Sequence, residues 1–238
     1  MKKTVFTSIL AATLLLTSCG TLTGKKEVET SLNQVVSLSE AKTGSLVSFG
    51  SYEQDNNTSN GNEDIEWIVL AREGDRILVI SRYALDCQPY NAIQYPEGTT
   101  WETCSLRKWL NDTFLNTAFS DEERGKIPQV TVSADKNPSF DTNPGNATTD
   151  QVFLLSITEA NKYFSSESAR QCKGTAYCYA QGAYKASNGN CWWWLRSPGG
   201  GSNGAALVSD VGSVDCNGFD VYFDLDAVRP ALWINLGS

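Results

Sequence analysis

Three consecutive tryptophans, Trp192-Trp193-Trp194, lead into Leu195-Arg196-Ser197-Pro198-Gly199, and no other segment restricts the fold so sharply. In a strand, alternation sends Trp193 and Leu195 to one face and Trp192, Trp194 and Arg196 to the other. Indoles on both faces require either cover on both sides or a ligand on one. In the first case Trp193 and Leu195 are core, and Arg196 stacks on a tryptophan or pairs with a buried carboxylate. In the second, Trp192 and Trp194 form an aromatic platform for a sugar or a peptide. A chain of 238 residues can enclose such a core, because folding at this size buries roughly 70% of the unfolded surface.

The remaining last third reads as short strands between Gly-bearing turns. Residues 205–209 make one strand and Asp210-Val211-Gly212 turn the chain into residues 213–216. Asn217-Gly218 turn it again into residues 219–223, and residues 228–236 close the chain, a C-terminal β-meander. Earlier, residues 65–71 and 76–81 are β-branched runs around Glu73-Gly74-Asp75, a hairpin, preceded by a strand-like segment with Leu46, Phe49 and Tyr52. Leu106, Trp109, Leu110 and Phe114 share one face of a helix beginning near Thr103 or Ser105. Ser120 with Glu123, and Ser156 with Glu159, are capping boxes that open short helices. Residues 137–150 contain two Pro, a Gly and several Asn and Asp, and read as loop. The sum is a single α+β domain, short helices packed on mixed and antiparallel sheets.

Whole function classes fall away on composition. The chain has no histidine, which removes His-based nucleophile systems and His-ligated metals. A net charge of −8 argues against a nucleic-acid partner. Lys2 and Lys3, the apolar stretch 5–16 and Leu16-Thr17-Ser18-Cys19 fit the bacterial lipoprotein pattern, against an ordinary secretory signal with an incidental Cys19. Residues 1–18 are then a signal peptide, residues 19–44 a lipidated Cys19 and tether, and residues 45–238 the domain. Leu32, Val35, Val36 and Leu38 could make a short docking helix within that tether. The expected place is the bacterial cell envelope, with the membrane as partner through the lipid. Gly20, in place of Asp, favours the outer surface where two membranes exist.

Six cysteines then remain, Cys87, Cys104, Cys172, Cys178, Cys191 and Cys216, and an even number in an exported chain suggests disulfides. Cys87 with Cys104, flanking one loop, is the favoured pair, worth about 3 kcal/mol. Zinc is the rival, but Cys172 and Cys178 are the sole close pair. No metal or other cofactor is called for. Residues 55–61 with Glu66 only approximate a calcium loop, with Gly61 one place late. Asp220, Asp224 and Asp226 form a second weak candidate for an oxygen-ligated ion. No motif selects paired carboxylates and no His activates a Cys, so no catalytic residue is assigned.

Ser48-Phe49-Gly50-Ser51-Tyr52, Ile65-Glu66-Trp67-Ile68-Val69-Leu70, Leu106-Arg107-Lys108-Trp109-Leu110-Asn111 and Val152-Phe153-Leu154-Leu155-Ser156 form an ordered series. It continues through Trp193-Trp194-Leu195-Arg196-Ser197-Pro198-Gly199, Ala205-Ala206 and Val228-Arg229-Pro230-Ala231-Leu232-Trp233-Ile234. Over nearly all of residues 45–236 the chain resembles a family of uncharacterised bacterial domains. That family is similar to the C-type-lectin-like fold of formylglycine-generating enzymes and of surface proteins varied by diversity-generating retroelements. The resemblance implies a C-type-lectin-like domain whose variable stretch corresponds to residues 199–226. Its solvent-facing members include Asn203, Ser209, Val211, Asp215, Asn217, Asp220 and Tyr222. Together with Trp192 and Trp194 these are the expected contacts to a protein or glycan ligand. The copper-binding cysteine pair of formylglycine-generating enzymes has no match, Cys191 and Cys216 not being its equivalent by context. The calcium tripeptides of sugar-binding lectins are only echoed by Gln88-Pro89-Tyr90 and Trp109-Leu110-Asn111-Asp112. The expectation is a non-enzymatic, lipid-anchored binding protein, with an exported enzyme or a structural envelope lipoprotein as alternatives.

Overall fold

A computed structural model describes residues 34–93 and 98–237. Cys19, the signal segment and most of the tether lie outside the described residues. Strand β1 (Leu46–Tyr52) pairs with β2 (Glu63–Glu73), and β2 turns at Gly74-Asp75 into β3 (Arg76–Ser81). This is the expected hairpin, and Gly74 supplies the positive φ, +61°, that its turn needs. The short β4 (Asp86–Cys87) follows, and then the helical region. Helix α1 (Ser105–Trp109) is capped by the Cys104 sulfur, which accepts the Arg107 amide. A π-helical turn, Leu110–Phe114, carries the chain into α2 (Leu115–Ala118), and Leu106, Leu110 and Phe114 are buried as the spacing predicts. Both predicted capping boxes are formed, at α3 (Asp121–Lys126) by Ser120 with Glu123 and at α4 (Ile157–Tyr163) by Ser156 with Glu159.

The Pro- and Asn-rich stretch 137–150 is not wholly loop. Between α3 and α4, β5 (Val130–Val132) pairs with β6 (Thr148–Asp150), and β7 (Val152–Phe153) follows. Asp150 is the reason that end is ordered: it accepts from the Trp101 indole at 2.9 Å, from Thr148 at 2.6 Å and from Arg107 at 2.6 Å. Two short helices, α5 (Glu167–Arg170) and α6 (Ala176–Ala180), precede β8 (Trp193–Pro198), β9 (Gly204–Val208) and β10 (Val214–Asp220), which form an antiparallel meander. The chain ends with β11 (Ala227–Val228) and β12 (Ala231–Asn235).

Two five-stranded sheets result, in the orders β1-β2-β3-β12-β7 and β10-β9-β8-β11-β4. The predicted closing strand 228–236 is thus two strands: β11 lies parallel to β8 in the second sheet, and β12 sits between β3 and β7 in the first. Arg229-Pro230 makes the crossing, where Pro230 cannot donate to a ladder. The second predicted turn is also revised. Asn217-Gly218 is a bulge inside β10, because the Asp215 carboxylate accepts both amides, at 2.9 and 3.0 Å, and keeps the chain running on. Residues 35–41 lie against the first sheet, with a 3₁₀ turn at Leu38–Glu40, Val35 bridged to Leu46 and Ala41 buried in the core. The fold class expected from the sequence, one α+β domain with short helices on mixed and antiparallel sheets, is what is found.

Candidate ligand-binding face

β8 is covered on both sides. Trp193 meets Phe164, which follows α4, at 6.4 Å, and its indole donates to the Arg170 carbonyl of α5. On the opposite face Trp194 packs against Tyr90 at 5.6 Å and donates to the Gln88 carbonyl. Trp194 has no exposed surface and leaves the predicted platform, because the 88–90 segment roofs the face on which alternation places it. Arg196 takes the carboxylate option: it pairs with Glu159 and with Asp135, and its guanidinium also donates to the carbonyls of Leu154 and Ser133.

Trp192 stands at the margin of β8 and is half-buried. Its ring meets Tyr184 at 4.6 Å in a tilted arrangement and Phe219 at 6.2 Å edge-on. Phe219 in turn contacts Phe223 at 5.0 Å, and Phe223 stacks on Tyr222 at 5.2 Å. Five aromatic rings therefore run in a continuous strip beside β10. Its outer members stay in water: Tyr184 is 40% exposed, Tyr222 45%, Phe223 40% and the adjoining Leu225 40%. Tyr184 belongs there because its amide donates to the Leu225 carbonyl at 2.8 Å. Sequence reasoning found Trp192 and Tyr222 but missed Tyr184, Phe219 and Phe223. Only the three-dimensional contact of the 182–186 loop with residues 224–226 assembles them.

Polar groups border the strip. The Trp192 indole donates to the Asp210 carboxylate at 2.9 Å. Asp220 lies beside the exposed Tyr222 phenol and raises its pKa by charge and hydrogen bonding. Asn203 Oδ1, Asp220 Oδ1 and Ser209 Oγ are shielded from water, yet have no hydrogen-bond partner among the described residues. Each such group costs roughly 1–3 kcal/mol unless a donor reaches it. Asp215 and Asn217 are exposed on the bulge, and Val211, 52% exposed, marks the β9–β10 turn. Seen together, the predicted residues other than Trp192 and Trp194 lie along β9, β10 and their turns, over about 20 Å at roughly 3.3 Å per residue.

The candidate ion sites fare differently. Glu66 pairs with Arg82 at 2.7 Å and does not join the 55–61 loop. The carboxylates gathered there are Glu53, Asp55 and Glu63, within 4.8 Å of one another. Asp220, Asp224 and Asp226 do not converge, since Asp224 is exposed and Asp226 has no exposed surface. Cys87 and Cys104 do not meet either. Cys87 donates to the Asp224 and Asp226 carbonyls and Cys104 faces the Trp101 carbonyl, because Cys104 is held at the α1 cap. All six described cysteines carry free thiols.

Asp226 differs from a second buried carboxylate, Asp86. Asp86 accepts from Tyr52 at 2.5 Å, from the Cys87 amide at 2.7 Å and from Gln88 at 3.2 Å. Neither Asp226 oxygen has a partner among the described residues, and burial lifts its carboxyl to about 7. The folded chain therefore keeps this proton from about pH 4 to 7 while the unfolded chain has released it. Stability falls as pH rises through that window and is flat beyond it. Asp226→Asn removes the term. Relative to the native chain it should gain a few kcal/mol on going from pH 5 to pH 8, read by urea unfolding at both pH values. Parallel profiles for the two proteins would refute the protonated state.

The fold is an α+β domain that carries an aromatic strip edged by carboxylates. The chain belongs to a family described as a domain of unknown function, DUF6273, whose profile matches residues 74–236. No curated protein and no solved structure matches the chain.

Proposed function

We propose that this is a lipid-anchored envelope protein that presents the strip of Tyr184, Trp192, Phe219, Tyr222 and Phe223 to an extracellular glycan. The observation that carries the reading is the exposure of Tyr184, Tyr222, Phe223 and Leu225 in one contiguous patch. Exposed aromatic rings are costly in water and gain by covering the C–H face of a sugar. The neighbouring Asp210, Asp220, Asn203 and Asn217 supply acceptors for hydroxyl donors. The Cys19 pattern supports acylation, and several buried acyl carbons at about 0.8 kcal/mol per CH₂ would hold the domain at the surface. The likeness to C-type-lectin-like variable proteins belongs to the same proposal, with residues 199–226 as the recognition stretch.

Tyr184→Ala with Tyr222→Ala should weaken binding to a glycan array by about 5- to 150-fold, since each lost aromatic contact is worth about 0.5–1.5 kcal/mol. The melting temperature should stay within a few degrees, because both side chains face water. Unchanged array binding would remove the face from its role. Binding to protein-coated beads but to no glycan would replace the ligand class. Incorporation of labelled palmitate, lost in Cys19→Ser, tests the anchor separately.

A further inference from the structure

A cleft of about 420 Å³ is lined by Arg82, Cys172, Lys173, Asn190 and Arg229 among others. Arg82 is paired with Glu66. Arg229 is not paired with any carboxylate among the described residues, although it is only 1% exposed. Its guanidinium donates to the carbonyls of Ser81 at 3.0 Å and Arg170 at 3.4 Å and lies over the Trp193 ring at 5.0 Å. A guanidinium cannot shed its proton, so a buried one calls for an anion.

Cys172 supplies it. Burial opposes a thiolate there, but the Cys191 thiol, the Arg229 charge and the Ala84 amide together hold Cys172 down at about 7. Cys191, as the hydrogen-bond donor to Cys172 and buried besides, is raised. The other core thiols stay inert, Cys87 and Cys104 being pushed up by burial to about 12. The backbones are also in register for a bond. The Cys191 amide donates to the Cys172 carbonyl at 2.9 Å, and the Cys191 thiol approaches the same oxygen at 3.4 Å. One backbone hydrogen bond brings the two residues side by side, as a disulfide requires.

We propose that Cys172 and Cys191 are a redox pair, closed to a disulfide by a carboxylate-bearing external disulfide that enters over the cations of the Arg82–Lys173–Arg229 cleft. The Cys172 thiolate attacks one external sulfur, the external S–S bond breaks, and the first thiolate leaves and takes a proton from water. Cys191 then gives its proton to water and attacks the Cys172 sulfur, expelling the second external thiolate. Two protein thiols lose two electrons, and the external disulfide becomes two thiols. The new bond ties both ends of the segment that carries α6 and Tyr184. It stands independently of the ligand proposed for the aromatic strip.

The test uses the full chain, equilibrated with oxidised glutathione, alkylated in denaturant and cut with trypsin. Arg170, Lys173, Lys185 and Arg196 place Cys172, Cys178 and Cys191 on separate peptides. The expected product joins peptide 171–173 to peptide 186–196, with Cys87, Cys104 and Cys178 still alkylated. Reduction should lower the melting temperature by roughly 5–10 °C. A bond through Cys178 or Cys87, or full alkylation of both Cys172 and Cys191, overturns the pairing. In Cys191→Ser the glutathione mixed disulfide should accumulate on Cys172, because the second thiol needed to resolve it is gone. A Cys172 that captures no glutathione in that variant overturns the order of attack.

Discussion

Arg196→Ala should destabilise the domain by about 3–5 kcal/mol. At this chain length that lowers the melting temperature on the order of 10 °C, measurable by calorimetry or by circular dichroism. Arg196 is 3% exposed and reinforces a junction where Ser156 also donates to Asp135 at 2.6 Å and the Ile157 amide to Ser197 at 3.0 Å. Its guanidinium meets Glu159 on α4, Asp135 after β5, and the carbonyls of Leu154 and Ser133. Truncation removes every one of those donors at once and leaves a cavity beside Tyr90, whose hydroxyl donates to the Arg196 carbonyl at 2.8 Å. Lysine is no substitute, because a single ammonium cannot reach partners spread across a planar fork. Arg196→Lys should recover less than half of the loss. A melting temperature unchanged in Arg196→Ala would mean that the buried ion pair contributes nothing net to folding.

Gly218→Val should cost a similar amount, about 3–5 kcal/mol, and should also abolish ligand binding. At φ +68° a β-branched residue is strained, and an added Cβ would lie 1.9 Å from the Ala205 carbonyl oxygen of the neighbouring strand. That oxygen is backbone and cannot swing aside. β10 must therefore lift away from β9, breaking the pairing of Phe219 with Ala205 and of Asp220 with Gly204. Phe219 is the middle ring of the aromatic strip, so the strip parts where β10 lifts. Loss of binding together with loss of stability separates this variant from the tyrosine pair, which should lose binding alone. If Gly218→Val bound its ligand normally, the strip would not be the recognition surface.

Much of the fold is legible locally. The β2–β3 hairpin, the two capping boxes and the apolar face of α1 follow from spacing and cap chemistry acting within a few residues. The misread segments are those where a distant partner decides. Asn217-Gly218 carries a turn signature, but Asp215 captures both amides and converts it to a bulge. Thr148–Asp150 lies in a loop-like sequence, yet Trp101 and Arg107 hold Asp150 and let it pair with β5. Alternation correctly divides Trp193 from Trp194 but cannot say that Tyr90, about a hundred residues earlier, covers the second face. The candidate face shows the same split: Trp192 and Tyr222 stand out in the sequence, whereas Tyr184 is recruited by a backbone bond to Leu225.

The last strand has a consequence for biosynthesis. Leu232 and its neighbours in β12 occupy the slot between β3 and β7, with Ala231 opposite Ile80 on one side and Phe153 on the other. Until those residues leave the ribosome the first sheet has a gap in its interior, and nothing earlier in the chain can fill it. The first sheet is complete only when this last strand arrives. A stop codon before Ala231 should yield a product that is degraded rather than a shortened domain.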